Sequence, residues 1–505
     1  MRTHSLPLWL CALIALISIA NAFYASVPPV TMGMGSKLRS VASRINIAKR
    51  IGKKNPVRHA GSCEELDELM TSGVPLGGIS VFGSSHETLA QRQTPHPVLQ
   101  VLSARAAAGS KPGQRADGLK VGLAVEGGGM RGCTSAGMVA ALCDLGLMDC
   151  MDAVYGSSAG SLVSAYALAN QPGMPRQVIH SDFPGLLTLL LEAELACRVR
   201  LGCSIYYDTL TGEGNHFIDT RYIWRQLGLG LLGAAVTGRA GLKDLWKDRM
   251  GNPVLKLDYL LKDVVEKIRP LDWSRFWATQ THQPLHVIAS GVQSGKSVAL
   301  SAKGGHFSSL EELTACMRAS MLLPGITGPL VNLANVPEPL VDSQLYEPIP
   351  FYTAVADGCT HILVLRSRPD GANVVGKPKL AEIALWRRFF KRKSRHPEAY
   401  KYMKAGGHKK HYAEAVLTLN AAAAQEASDD GPYLMAVSLK DGEEIGRLEQ
   451  RREAILDGVR KGYEAGYDLL RGAAEGGGGA ADGQAAGLTA FPPSILDSDE
   501  DPILI

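Results

Sequence analysis

Paired cysteines are missing from this sequence. Its nine cysteines include no C-x-x-C pair, which argues against a disulfide framework and against a zinc ribbon. A dominant charge is missing too: 53 Lys+Arg against 49 Asp+Glu leave +4, so overall charge lends a nucleic-acid role no support. Charged residues are scarce at 20% while apolar residues reach 46%, a balance that excludes a disordered chain and supplies a large core. Collagen repeats, coiled-coil heptads and serial apolar spans are absent, so fibrous and multispan membrane classes fall away. Glycine is plentiful at 55 residues, as recurrent tight turns between strands and helices require. At roughly 150 residues per domain, the length allows two or three domains at most. What remains is a soluble α/β enzyme with a processed front end.

Acidic residues are absent from the first 63 positions. Residues 6–23 are an apolar run too short for a comfortable membrane span, and Ala20-Asn21-Ala22 fits a signal-peptidase site. The following stretch carries Lys37, Arg39, Arg44, Lys49, Arg50, Lys53, Lys54 and Arg58 with interspersed serines, the composition of a transit peptide. A signal peptide stacked on such a segment resembles the bipartite leaders of complex plastids. A plain secretory signal, or an anchor followed by a basic arm, is the alternative. The protein is therefore expected on the secretory route or in a complex plastid, peripherally attached to membrane.

Two strand–glycine–helix units follow within 50 residues, which predicts a mostly parallel sheet with helices on both faces. Residues 120–125 read as a buried strand, 127–132 as a glycine-rich turn and 133–147 as a helix. Residues 152–155 read as the second strand, 156–160 as a second turn, and the helix after it runs to about Asn170. Further strands are expected at 285–290, 361–367 and 434–439, and a helix at 443–470. Residues 186–273 form an apolar, largely helical insertion, either a core-packing excursion or a cap that touches lipid.

Gly156-Ser157-Ser158-Ala159-Gly160 is G-x-S-x-G, the pattern of a nucleophile elbow. Small neighbours let the backbone turn sharply so that Ser158 projects above the sheet edge, and the helix starting there aims positive N–H groups at developing negative charge. Gly127-Gly128-Gly129-Met130-Arg131-Gly132 can converge main-chain N–H groups on a phosphate or on an acyl oxyanion. Arg131 could fix that loop or meet a phosphate headgroup. The same run satisfies G-x-G-x-x-G, but a dinucleotide site wants an acid at the end of the second strand, whereas Asp152 begins it. Residues 291–297 (GVQSGKS) have one residue too few for a P-loop and read as a hairpin turn. No histidine stands in an evident strand-end context, and His408 with His411 reads as a solvated pair before half a metal site. An aspartate can take the proton directly if it reaches the serine hydroxyl.

These two glycine motifs, the run Arg318-Ala319-Ser320-Met321-Leu322-Leu323-Pro324-Gly325, and the run Val341-Asp342-Ser343-Gln344-Leu345-Tyr346-Glu347-Pro348-Ile349-Pro350 together resemble the patatin-like phospholipase family. The resemblance covers roughly residues 119–369, and residues 251–300 and 443–470 resemble its bacterial-type members. It implies a three-layer α/β/α fold and a Ser–Asp dyad without histidine. Ser158 would be nucleophile and Asp342 base, with the 127–132 loop (backbone N–H of Gly128, Gly129 and Met130) as oxyanion hole. It further implies hydrolysis of phospholipid, galactolipid or lysolipid acyl esters at a membrane surface, with no metal, nucleotide or other cofactor. In the family the base sits in D-G-G or D-G-A, whereas Ser343 and Gln344 follow Asp342 here. Asp357-Gly358-Cys359 is the substitute to weigh, although the L-x-E-P-I-P run favours Asp342. The departure also leaves room for a non-catalytic lipid-binding or storage protein that keeps the fold; a nucleotide-dependent enzyme ranks third.

Residues 386–411 hold ten Lys/Arg against Glu398 alone, with Trp386, Phe389, Phe390, Tyr400 and Tyr402 interleaved. They read either as a solvated helix face or as a surface that adsorbs to anionic lipid through basic residues and interfacial aromatics. The expected organisation is a signal peptide (1–22), a basic transit-like segment (23–60) and an N-terminal extension (61–118). The catalytic domain (119–369) follows, then a basic helical segment (370–431), a strand–helix unit packed on the domain (432–471) and a low-complexity, acidic tail (472–505).

Overall fold

A computed structural model describes residues 57–82, 85–169, 203–211, 217–218, 253–376 and 378–475. The signal-peptide reading, nearly all of the transit-like segment, most of the insertion and nearly all of the tail lie outside the described residues.

Two short strands, β1 (Arg58–His59) and β2 (Ile79–Ser80), pair in parallel ahead of the main sheet. The main strands are β3 (Val121–Val125), β4 (Ala153–Ser157), β5 (Leu285–Gly291), β6 (Ser297–Leu300), β7 (Leu340–Val341), β8 (His361–Leu365) and β9 (Tyr433–Val437). Among the described residues they form one seven-stranded sheet in the order β6-β5-β4-β3-β8-β9, with β7 paired to β5. The β5–β4–β3–β8–β9 neighbours are all parallel; β6 and β7 run antiparallel to β5.

Strand alternation splits the core in two. Val121, Leu123 and Val125 of β3 and Leu363 and Leu365 of β8 join one apolar cluster, whereas Ala124, Ile362 and Val364 join another. Helices cover both faces. Helix α1 (Cys63–Thr71) supplies Leu66 to the second cluster, and α2 (Pro97–Ala107) supplies Val98 and Leu102 to the first. The first cluster also holds α3 (Gly132–Asp144), α4 (Ala159–Ala169), α5 (Trp273–Thr279) and α6 (Leu310–Ser320). The second holds α7 (Phe351–Ala356); beyond it come α8 (Leu380–Trp386), α9 (Pro397–Ala405) and α10 (Gly407–Ala422), of which α10 adds Tyr412, Val416 and Leu419 to the second cluster. The last helix, α11 (Arg452–Ala474), returns to the first face. The result is the expected three-layer α/β/α arrangement.

Helix α11 and α3 meet almost backbone to backbone. A Cβ at Gly462 would fall 2.1 Å from the Thr134 carbonyl oxygen, and one at Gly137 2.0 Å from that of Val459. Small residues at this contact let α11 fix the helix that leaves the glycine-rich loop.

Several sequence expectations shift. Strand β4 runs to Ser157, so the first two residues of the G-x-S-x-G run are strand residues. Helix α3 ends at Asp144 instead of 147. The helix expected from 443 starts at Arg452, because residues 443–451 are drawn instead across the glycine-rich loop, where the Met130 N–H donates to the Arg447 carbonyl (3.1 Å). The aromatic half of the 386–411 adsorption reading is overturned. Trp386, Phe389 and Phe390 are buried in a third cluster with Leu322, Val341 and Leu345, and the Tyr402 hydroxyl donates to the Leu345 carbonyl (3.0 Å). Arg387, Lys391, Arg392, Lys393 and Arg395 stay exposed. Among the described residues, no helix is long and apolar enough to cross a membrane.

Candidate active site

Strand β4 delivers the chain to Ser158, whose φ of 51° lies in the left-handed region that a side chain rarely adopts. Such strain persists only where surroundings hold it, and here three contacts do. The Ser158 N–H donates to Ser320 Oγ (2.7 Å), while Ser161 Oγ and the Ser161 N–H both donate to the Ser158 carbonyl (2.7 and 2.9 Å). Ser320 is the last residue of α6, a helix started by the Ser309 side chain capping the Glu312 N–H, and its hydroxyl donates to the Ile288 carbonyl on β5.

The crowding that G-x-S-x-G anticipates is visible at Gly160, where a Cβ would sit 2.2 Å from the Val125 carbonyl oxygen. Gly127 is as constrained from the other side: its Cβ would lie 2.2 Å from the Ser157 carbonyl oxygen and 2.8 Å from Ser158 Cβ. Glycine-rich loop and elbow are thus packed against each other. Gly156 backs onto Ser161, and Ala159 meets Gly132, the first residue of α3.

Asp342 follows β7, which pairs with the far end of β5 through Ser290–Val341 and Gly291–Leu340. That pairing brings its Oδ2 to 3.4 Å from Ser158 Oγ. Its Oδ1 accepts the Gln344 N–H (2.8 Å), and its own N–H donates to the Leu322 carbonyl (3.1 Å). Burial pushes the Asp342 carboxyl up to about 7, against the pull of the Gln344 N–H, the Arg447 charge and the Ser158 hydroxyl. A carboxyl tuned there can exchange a proton near neutral pH.

The loop itself is braced from beneath. Glu126 is buried and accepts the Ser367 N–H (2.7 Å) and the Tyr412 hydroxyl (2.6 Å), and Ser367 Oγ donates to the Gly127 carbonyl (2.7 Å). Gly129 has φ +63°, the left-handed turn that needs glycine. Arg131 is buried, with Nη1 on Glu444 Oε1 (3.0 Å) and Nε lacking a hydrogen-bond partner.

The alternatives separate clearly from this place. Asp357 lies at the opposite ends of the strands, where Lys120 Nζ (2.8 Å) and the Tyr155 hydroxyl (2.5 Å) donate to its Oδ2. Its D-G glycine, Gly358 at φ +81°, ends α7. The 291–297 run is the turn between β5 and β6, closed by the Gly291 N–H on the Lys296 carbonyl (2.9 Å). His408 is buried edge-on against Trp386, while His411 pairs with Glu414 (3.1 Å). Among the described residues, no group of three or more His, Cys, Asp or Glu could hold a metal ion. Ser320 lies within the Arg318–Gly325 run, whose sequence assigns it no role, and Glu126, Glu444 and Arg447 carry no local signal.

The family model described as patatin-like phospholipase matches residues 123–355. Curated proteins give no match. Among solved structures, the crystal structure of VipD from Legionella pneumophila aligns at 14% identity, over 69% of this chain and 66% of that one. Its TM-score is 0.26, a superposition too loose to bear on fold or function.

Proposed function

We propose, from the match of residues 123–355 to the patatin-like phospholipase family, that the protein hydrolyses fatty acyl esters of phospholipids, galactolipids or lysolipids through Ser158 and Asp342. The observation that carries this reading is the 3.4 Å approach of Ser158 Oγ to a carboxylate whose ionisation is shifted toward neutrality. Ser158 Oγ attacks the acyl carbonyl carbon while Asp342 takes the hydroxyl proton. The carbonyl oxygen becomes an oxyanion facing the N–H groups of the glycine-rich loop, Gly128 and Gly129 first. Collapse expels the lipid alcohol, which leaves with the proton from Asp342. Water, deprotonated by Asp342, then attacks the acyl-Ser158 ester, and Asp342 returns the proton to Ser158 Oγ as the fatty acid is released. The gap of 3.4 Å is long for a strong hydrogen bond, and such contacts tighten when substrate binds.

Gln344 does not displace the base: its side chain turns away to Arg447 while its N–H orients Asp342 Oδ1. The exposed arginines and lysines of 387–395 supply electrostatic attraction to a lipid surface. Residues 1–60 retain the targeting role proposed from their composition, with delivery by the secretory route or to a complex plastid.

The test is fatty acid release from mixed phospholipid and galactolipid vesicles by the chain lacking residues 1–56. Ser158→Ala and Asp342→Asn are each expected to lower release by about a thousandfold or more. Vesicle binding without release by the parent chain would replace the hydrolase reading with the lipid-binding one.

A further inference from the structure

Residues 440–451 join β9 to α11 by a detour over the glycine-rich loop. The Arg447 carbonyl accepts the Met130 N–H at 3.1 Å, and it lies so close to Gly129 that a Cβ there would be 2.8 Å from it. A carbonyl oxygen therefore already sits on a donor of the loop that faces Ser158. Two side-chain contacts hold the detour down. Arg447 Nη1 donates to Gln344 Oε1 (3.2 Å), two residues beyond the base, and Arg131 Nη1 donates to Glu444 Oε1 (3.0 Å).

The detour is lightly anchored otherwise. Ile445 is buried against Gly458 of α11 and Leu448 packs, half-buried, on the first apolar cluster, whereas Gly446, Arg447 and Gln450 are exposed and Glu444 is 54% exposed. A short segment held by two polar ties and two apolar contacts opens at a far smaller free-energy cost than the whole fold.

We propose that residues 440–451 are an autoinhibitory strap, closed here with the Arg447 carbonyl occupying the Met130 N–H of the oxyanion loop and latched by Gln344 and Glu444. The base-loop departure from D-G-G or D-G-A then has a purpose, since glycine at 344 offers no acceptor for Arg447. Opening frees the Met130 N–H to join Gly128 and Gly129. The proposal rests on the hydrolase reading for its consequence, but the strap itself can be read without turnover.

The experiment is amide hydrogen exchange over residues 126–132 in the full chain without lipid, beside labelling of Ser158 by a fluorophosphonate. In the double variant Glu444→Ala, Gln344→Ala, exchange at Met130 and labelling of Ser158 should each quicken about three- to tenfold, the effect of losing two polar ties. Gln344→Glu sets a carboxylate against Arg447 and should slow the exchange. Unchanged exchange in both variants, with circular dichroism and Tm preserved, overturns the strap. Faster exchange with Ser158 labelled at an unchanged rate also overturns it, since an open strap that uncovers nothing is not inhibitory. Faster exchange with no labelling of either chain upholds the strap and sinks the nucleophile reading.

Discussion

The two ends of the central sheet treat their aspartates differently. At the N-terminal ends, Asp152 is gripped by Arg105 Nη1 (2.7 Å) and Arg115 Nε (2.6 Å), and it accepts the Val121 N–H (2.8 Å). Arg105 in turn holds Asp117, whose carboxyl lies below its usual range through that bond. At the C-terminal ends, Asp342 is buried and, among the described residues, has a backbone N–H and a serine hydroxyl but no cation in hydrogen-bond contact. Full pairing makes a carboxylate a structural fastener; burial without a paired cation leaves its proton affinity high. The proposed chemistry is at the end where the pairing is missing.

The comparison is sharpened most by cutting a fastener. Asp152→Ala strands Arg105, 2% exposed, and Arg115 with one carboxylate fewer between them. Breaking a buried pair on one side typically costs about 3 kcal/mol or more, and urea unfolding should show a loss of that size. At temperatures where the variant stays folded, acyl release should be nearly unchanged. A large drop in turnover at full occupancy of the folded state would mean the two ends are not separate in role.

Proton affinity offers the next test. With the Asp342 carboxyl raised to about 7, the base is mostly protonated at pH 5, and hydrolysis there should be about a hundredfold below its plateau above pH 8. Stability moves the other way. The folded chain holds a proton on Asp342 that the unfolded chain has already lost between about pH 4 and 7, so stability contributed by this group falls as pH rises through that window. A rate–pH profile and Tm values for the parent chain and Asp342→Asn check both signs; a parent rate flat from pH 5 to 8 would remove Asp342 as base.

How much of this was legible depends on how local the cause was. The elbow was legible because Gly160, two residues from Ser158, is there for a backbone approach that no side chain tolerates. The parallel sheet was legible for the same reason, from two strand–glycine–helix units. The bond from the Ser158 N–H to Ser320 spans 162 residues and leaves no local trace. Residues 443–451 carry Ile445 and Leu448 at a helix-like spacing, so the helix was extended too far; contact with the glycine-rich loop decides their course. The aromatics of 386–402 looked interfacial because composition cannot tell a membrane from the underside of a base loop, and here Phe390 and Trp386 fill the latter.

The smallest effect concerns Asp357, the rival base on sequence grounds. Burial works against its charge, yet hydrogen bonds from Lys120 and Tyr155 hold its carboxyl below the usual range, so it is a poor proton acceptor at neutral pH. It is also partly exposed, 40% at the side chain, so its bridge to Lys120 resembles a surface pair. Asp357→Asn keeps an oxygen for the Tyr155 hydroxyl and removes only the charge. Stability should fall by less than about 1 kcal/mol and fatty acid release should stay within about twofold. Because Tyr155 reaches Asp357 from the strand that leads into Ser158, a fall in release far beyond twofold at unchanged stability would show the two ends coupled through β4. The division between fastening and reactive carboxylates would then have to be redrawn along that strand.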